Sequence, residues 1–230
     1  MTFHRNLLSN AVLILACLLS PGVVLSDTFK EAGEAYKQRD YATAAAKFRE
    51  VAAKGDHRAM YALGSMFAGG TGVKRDYNQA FKWFTDAAKY GRLDAKYKIG
   101  LMYELGVGVK QNFRQAARYY QEVGQKGYAH GQFKFGQLYL HGNGVKQDLV
   151  KAYAWMFTAR QNFLRTIPKT DTAGTTGDSI LAVDDFQSGD IFATIHLNLI
   201  NAELDGIKSQ LSTAQLVEVN RLVQEYSQYR

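Results

Sequence analysis

The sequence predicts an all-α protein: an α/α solenoid, or superhelix, of antiparallel helix hairpins with capping helices at its N- and C-terminal ends. Three observations carry this. A block of 36 residues recurs three times, beginning at Ala59, Ala95 and Gly131. Within each block, apolar residues recur at helical spacing in two runs. A glycine-rich turn separates the two runs in every copy: Gly70-Thr71-Gly72-Val73, Gly106-Val107-Gly108-Val109 and Gly142-Asn143-Gly144-Val145. A period of this length marks stacked hairpins that bury their apolar faces only against one another.

The first run of block one places Ala59, Leu63, Met66 and Phe67 on one helical face. Gly64 recurs as Gly100 and Gly136 and lets the second helix come close. The turn glycines Gly70, Gly72, Gly106, Gly108, Gly142 and Gly144 suit positive φ. Asp76 then suits a helix N-cap, with Gln79 completing a capping-box pattern, and Asn112 with Gln115 repeats it. Asp148 keeps the cap without the box. The second run carries Ala80, Trp83, Phe84 and Ala87, and Gly91 and Gly127 end it before the next block.

These residues resemble the Sel-one-like repeat (SLR) family, a branch of the tetratricopeptide-type helical repeats. The resemblance rests on Leu63-Gly64 with Phe67, the Gly-x-Gly-Val turn, the following Asp or Asn, and the Ala80-x-x-Trp83-Phe84 step, each repeated. It covers residues 59–163 as three repeats, 59–94, 95–130 and 131–163. Residues 27–58 read as a tetratricopeptide-like capping hairpin, since Tyr41, Ala44, Phe48, Ala52 and Gly55 stand one period before Tyr77, Ala80, Phe84, Ala88 and Gly91. Residues 164–189, rich in Thr, Asp, Gly and Lys, read as a loop-rich insertion. Residues 190–230 read as C-terminal capping helices, the last opened by a Ser212/Gln215 capping box.

Residues 1–26 read as a signal peptide. His4 and Arg5 form a basic start, Leu7 to Leu19 an apolar run, Pro21 and Gly22 a helix end, and Val24-Leu25-Ser26 a cleavage site before Asp27. The expected location is the periplasm; retention as a signal or lipid anchor, the latter through Cys17, is the alternative. Cleavage before Asp27 leaves no cysteine and so no disulfide. The formal charge is +7, and beyond residue 26 there are 27 Lys+Arg against 21 Asp+Glu. That balance favours anionic partners weakly. Without a basic helix or aromatic sheet motif it does not make a nucleic-acid binder.

Opposite the core stripe, the first helices line the inner, concave face. Tyr61, Tyr97 and Phe133 make a column of rings there, one per repeat, with Arg58, Leu101, Glu104 and Gln137 around it. Such rings suit a peptide or glycan partner through large contact area at low entropy cost, and packing across repeat junctions is the competing explanation. Lys98 and Lys134 lie beside the column. Lys74, Lys110 and Lys146 follow the three turns and form a row along one edge, either solvated or facing anionic lipid or glycan.

Chemistry is not indicated. His57, His130, His141 and His196 show no metal-ligand spacing, and Asp184, Asp185 and Asp190 read as solvated loop acids. No nucleophile elbow, Ser-x-x-Lys motif or phosphate loop occurs, so no enzyme, cofactor or metal site is expected. Cysteine-clamped relatives in the SLR family have been linked to β-lactam binding or hydrolysis, which makes a cell-wall hydrolase or ligand binder the alternative. The missing cysteines remove most of its support. The resemblance implies an exported scaffold or regulator with protein partners in the bacterial envelope and at most peripheral membrane contact.

Overall fold

The computed structural model describes residues 21–166 and 189–229, and among these every regular element is an α-helix. Helices α1 (Pro21–Lys37) and α2 (Tyr41–Ala53) form the first hairpin. Three more follow: α3 (His57–Gly69) with α4 (Tyr77–Lys89), α5 (Leu93–Leu105) with α6 (Phe113–Gly124), and α7 (Ala129–His141) with α8 (Leu149–Thr166). Then come α9 (Gly189–Lys208) and α10 (Thr213–Tyr226). Each helix packs on its neighbours in sequence until α8, which is shared by α7, α9 and α10. The fold is the predicted all-α solenoid.

The signal-peptide reading over 1–26 lies, up to residue 20, outside the described residues; so do residues 167–188, with Asp184 and Asp185, and the side chains of Asp190 and His196. The helix end expected at Pro21 and Gly22 would close a segment outside the described residues, and helix α1 begins at Pro21. At a first helical position its missing N–H costs no hydrogen bond and its fixed φ is already helical.

The caps are local chemistry. Asp56 accepts from the backbone N–H of Arg58 and Ala59, Asp76 from Asn78 and Gln79, and Asn112 from Gln115. Among the described residues only Ser212/Gln215 closes the full reciprocal box. At Asp76 and Asn112 no return bond from Gln79 or Gln115 forms among the described residues, which corrects the expected boxes. The cap oxygen alone already satisfies the orphan amide donors it reaches.

The three turns are seated by their glycines. Gly72, Gly108 and Gly144 have φ of +69°, +70° and +71°. A Cβ on Gly72 would lie 2.3 Å from the Tyr41 carbonyl oxygen, and one on Gly108 2.3 Å from that of Tyr77. On Gly144 it would lie 2.3 Å from the Phe113 carbonyl carbon. Each turn therefore rests on the first residue of the second helix of the preceding hairpin. The hydrophobic core runs along the stack through Phe48, Leu63, Phe84, Ile99, Tyr120 and Met156, all at most 2% exposed. Burial of each such side chain contributes roughly 1.5–3 kcal/mol.

Candidate protein-binding face

The column of rings is built into the repeat junctions. Tyr61 packs against Phe84, with ring centroids 5.5 Å apart, and the Arg92 guanidinium lies 4.8 Å from its centroid. Tyr97 meets Tyr120 at 5.8 Å, Tyr128 at 5.5 Å and His130 at 5.7 Å. Arg92 and Tyr128 are the N-cap residues of α5 and α7, and neither caps with its side chain. The equivalent position before α3 is Asp56, which does cap, while Arg58 lies 4.2 Å from the Phe29 centroid and 2.7 Å from the Asp56 carboxylate. Where the carboxylate cap is lost, the side chain covers a ring of the previous repeat instead. Both Tyr61 and Tyr97 remain half-buried.

Phe133 differs. It is 5% exposed and shares a core cluster with Met156, Phe163, Ile200 and Leu204. That cluster links it to α9, a helix outside the repeat period that packs on α8. Gln137, one turn further along α7, donates from Nε2 to Glu203 Oε1 at 3.0 Å. The second oxygen of Glu203 is buried with no hydrogen-bond partner among the described residues. So the face of the third repeat that carries Phe133 and Gln137 already holds a helix, through an apolar stripe and one polar contact.

Glu104 ties the second repeat to the third. It accepts from the Tyr120 hydroxyl at 2.5 Å and pairs with Lys134 at 3.1 Å. Burial, then the Glu104 carboxylate beside it, pushes the Tyr120 phenol far above the ordinary tyrosine range, so it stays a neutral donor. Gly100 makes this contact possible, since a Cβ there would lie 2.6 Å from the Tyr120 ring. Leu101 is partly buried against the same cluster as Tyr97. The predicted residues thus fall into two groups: Tyr61, Tyr97, Leu101 and Glu104 on the first two repeats, and Phe133 and Gln137 under α9. Arg58 stands apart at the first junction.

Sequence reasoning missed Gln132. It is fully buried, donates to the Gly124 carbonyl at 2.9 Å and accepts from Asn162 at 2.9 Å. Its periodic equivalents are Met60 and Lys96, so a lone amide at that position was the available signal. Among the described residues no group of three or more His, Cys, Asp or Glu side chains could hold a metal ion. No described helix is long and apolar enough to cross a membrane.

The Sel1 repeat matches this chain three times, over residues 57–90, 93–128 and 129–161. The chain carries a Sel1-repeat array. Solved structures agree. A Sel1 repeat protein from Oxalobacter formigenes is 26% identical with a TM-score of 0.55, over 58% of this chain and 55% of that one. The protective antigen c5321 of uropathogenic Escherichia coli, which displays an SLR fold, is 23% identical with a TM-score of 0.60, over 91% of this chain and 42% of that one. At that identity the likeness to c5321 is one of fold. The chain spans about half the length of these structures. No curated protein matches it. Sel1 repeats generally mediate protein–protein interaction and are typically non-catalytic, so the array is a helical scaffold of a kind consistent with that role.

Proposed function

We propose that this Sel1 array is an exported, periplasmic scaffold or regulator that holds a helical segment of an envelope protein against the inner face of its first two repeats. One observation carries the reading: the corresponding face of the third repeat already holds a helix, α9, on Phe133 and Gln137. At the equivalent positions Tyr61, beside Arg92, and Tyr97, beside Tyr120, Tyr128 and His130, stay half-buried, so the first two repeats keep part of each ring accessible. Leu101 and the half-buried rings supply apolar area, and Glu104 with Lys134 sets a polar boundary between the second and third repeats.

A photo-reactive residue at Leu101, compared with one at exposed Lys82 on α4, tests this in intact cells. The expected result is a discrete protein adduct from Leu101 and none from Lys82, with the chain recovered from the soluble envelope fraction and beginning near Asp27. Equal labelling from both positions, or recovery of the uncut chain from cytosol, overturns the reading.

A further inference from the structure

The two long edges of the stack treat their cations differently. At the junctions between hairpins, Lys54 pairs with Glu50, Arg58 with Asp56, Lys89 with Asp86, Arg92 with Asp94 and Lys96 with Glu122, Lys126 being the exception. At the turn edge, segments 70–79, 106–115 and 142–151 carry six Lys or Arg and two Asp. Both aspartates are committed to helix caps. Lys151 pairs with Asp148 at 3.3 Å. Lys74, Arg75, Lys110, Arg114 and Lys146 are exposed and form no ion pair among the described residues.

The row is held in place. Val73, Val109 and Val145 in the turns pack into the core, which leaves the lysine after each pointing outward. The glycine seats fix one turn against the next hairpin start: Gly108 lies on Tyr77, just past Lys74 and Arg75, and Gly144 on Phe113, just past Lys110. Backbone fills these seams, so an extended peptide has no cleft to enter between neighbouring turns. Two of the large apolar side chains the fold leaves outside lie on the same edge, Leu105 at 64% exposed and Tyr77 at 37%. Aligned tips that mix unpaired cations with an exposed leucine and tyrosine match a flat anionic boundary with an apolar layer beneath it.

We infer that the turn edge is a peripheral docking strip for an anionic lipid surface, with Lys74, Lys110 and Lys146 at its centre. Attraction of each such side chain to an anionic bilayer raises partition about fivefold near the surface and falls away within a Debye length. The three lysines together therefore carry about a hundredfold at low salt. This does not depend on the inner face binding a protein, because the two surfaces share no residue.

Vesicle co-sedimentation of the full chain tests it, with 30% phosphatidylglycerol in phosphatidylcholine (about one lipid in three charged) against phosphatidylcholine alone. The N-terminal segment is common to all variants, so the readout is the ratio of anionic to neutral binding. The expected ratio falls about a hundredfold in K74Q/K110Q/K146Q and stays near the wild-type value in K54Q/K89Q/K126Q, which removes the same charge from the opposite edge. It also falls with added salt. Circular dichroism of both variants checks that the exposed substitutions leave the helices intact. An unchanged ratio in the turn variant, an equal fall in both variants, or salt-independent binding overturns the inference. So does lysine-dependent binding to soluble polyglutamate without preference for anionic vesicles, which would assign the strip to an acidic protein.

Discussion

Gln137 on α7 and Glu203 on α9, 66 residues apart in sequence, meet in a 3.0 Å hydrogen bond that joins the array to a helix from outside the repeat. Phe133 on α7 and Ile200 and Leu204 on α9 share one buried apolar cluster. Hydrogen bonds to charged groups contribute about 1.5–3 kcal/mol when formed away from solvent. A double-mutant cycle of Gln137→Ala and Glu203→Ala is expected to give a coupling of about 1.5–2 kcal/mol by urea unfolding, the lower part of that scale because both groups are only partly buried. Zero coupling would mean that α9 is held by its apolar stripe alone.

The turn glycines are expected to be less replaceable than Gly91. All four adopt positive φ, but Gly91 has nothing within 4 Å of an added Cβ, whereas Gly72, Gly108 and Gly144 would drive one into backbone. Gly91→Ala therefore costs only backbone strain, about 1 kcal/mol. Each turn glycine changed to Ala adds a clash that flexible side chains cannot relieve, for about 3 kcal/mol or more in total. Thermal melts of the four variants separate the two contributions. Equal losses at all four positions would show that the seats yield.

Tyr120 ties stability to alkaline pH. Its hydroxyl ionises at a higher pH in the folded chain than in the unfolded one, where it follows the ordinary range near 10. Above about pH 10 the unfolded state loses a proton that the folded state keeps, so stability falls as pH rises, by about 1.4 kcal/mol per unit for this one group. Below that pH its contribution is complete. Tyr226, raised first by burial and then by neighbouring phenols and carboxylates, acts in the same direction. Tyr120→Phe is expected to flatten the fall between pH 10 and 11 in urea melts, at some cost in stability at neutral pH. An unchanged slope would show that Tyr120 titrates normally.

The rings of the inner column should separate in mutagenesis. Phe133→Ala removes a side chain 5% exposed and is expected to cost about 3–5 kcal/mol, so any loss of partner capture would follow loss of fold. Leu101→Ser, at a half-buried position, is expected to cost about 1–2 kcal/mol while weakening capture in a chain that is still helical. Circular dichroism run beside capture assays distinguishes the two. Phe133→Ala folding normally would place that ring outside the core.

These contrasts mark where the sequence was legible. The period, the hairpin turns and the caps at Asp76, Asn112 and Asp148 follow from rules acting over a few residues, and the structure carries them. The shared role of Tyr61, Tyr97 and Phe133 was a different matter. Periodicity places the three residues at equivalent positions but says nothing about what lies over them. Arg92 and Tyr128 cover two rings from cap positions that differ from repeat to repeat, and α9 covers the third from a segment with no periodic counterpart. The Glu104–Tyr120–Lys134 contact was hidden for a similar reason. It joins residues whose equivalents one repeat earlier, Ala68, Phe84 and Lys98, offer no such set of partners.

Because α8 is gripped by three helices at once, with Trp155 stacked on Tyr226 at 4.3 Å on one side and Met156 against the α9 cluster on another, the array is open to growth in its interior and sealed at its C-terminal end. A further 36-residue unit spliced at the junction near Tyr128 would meet surfaces like those it replaces. The same unit joined after α8 would have to displace both terminal helices. Lengthening or shortening of such a chain by duplication or loss of repeats is thereby confined to the inner junctions, and its C-terminal ending is inherited whole.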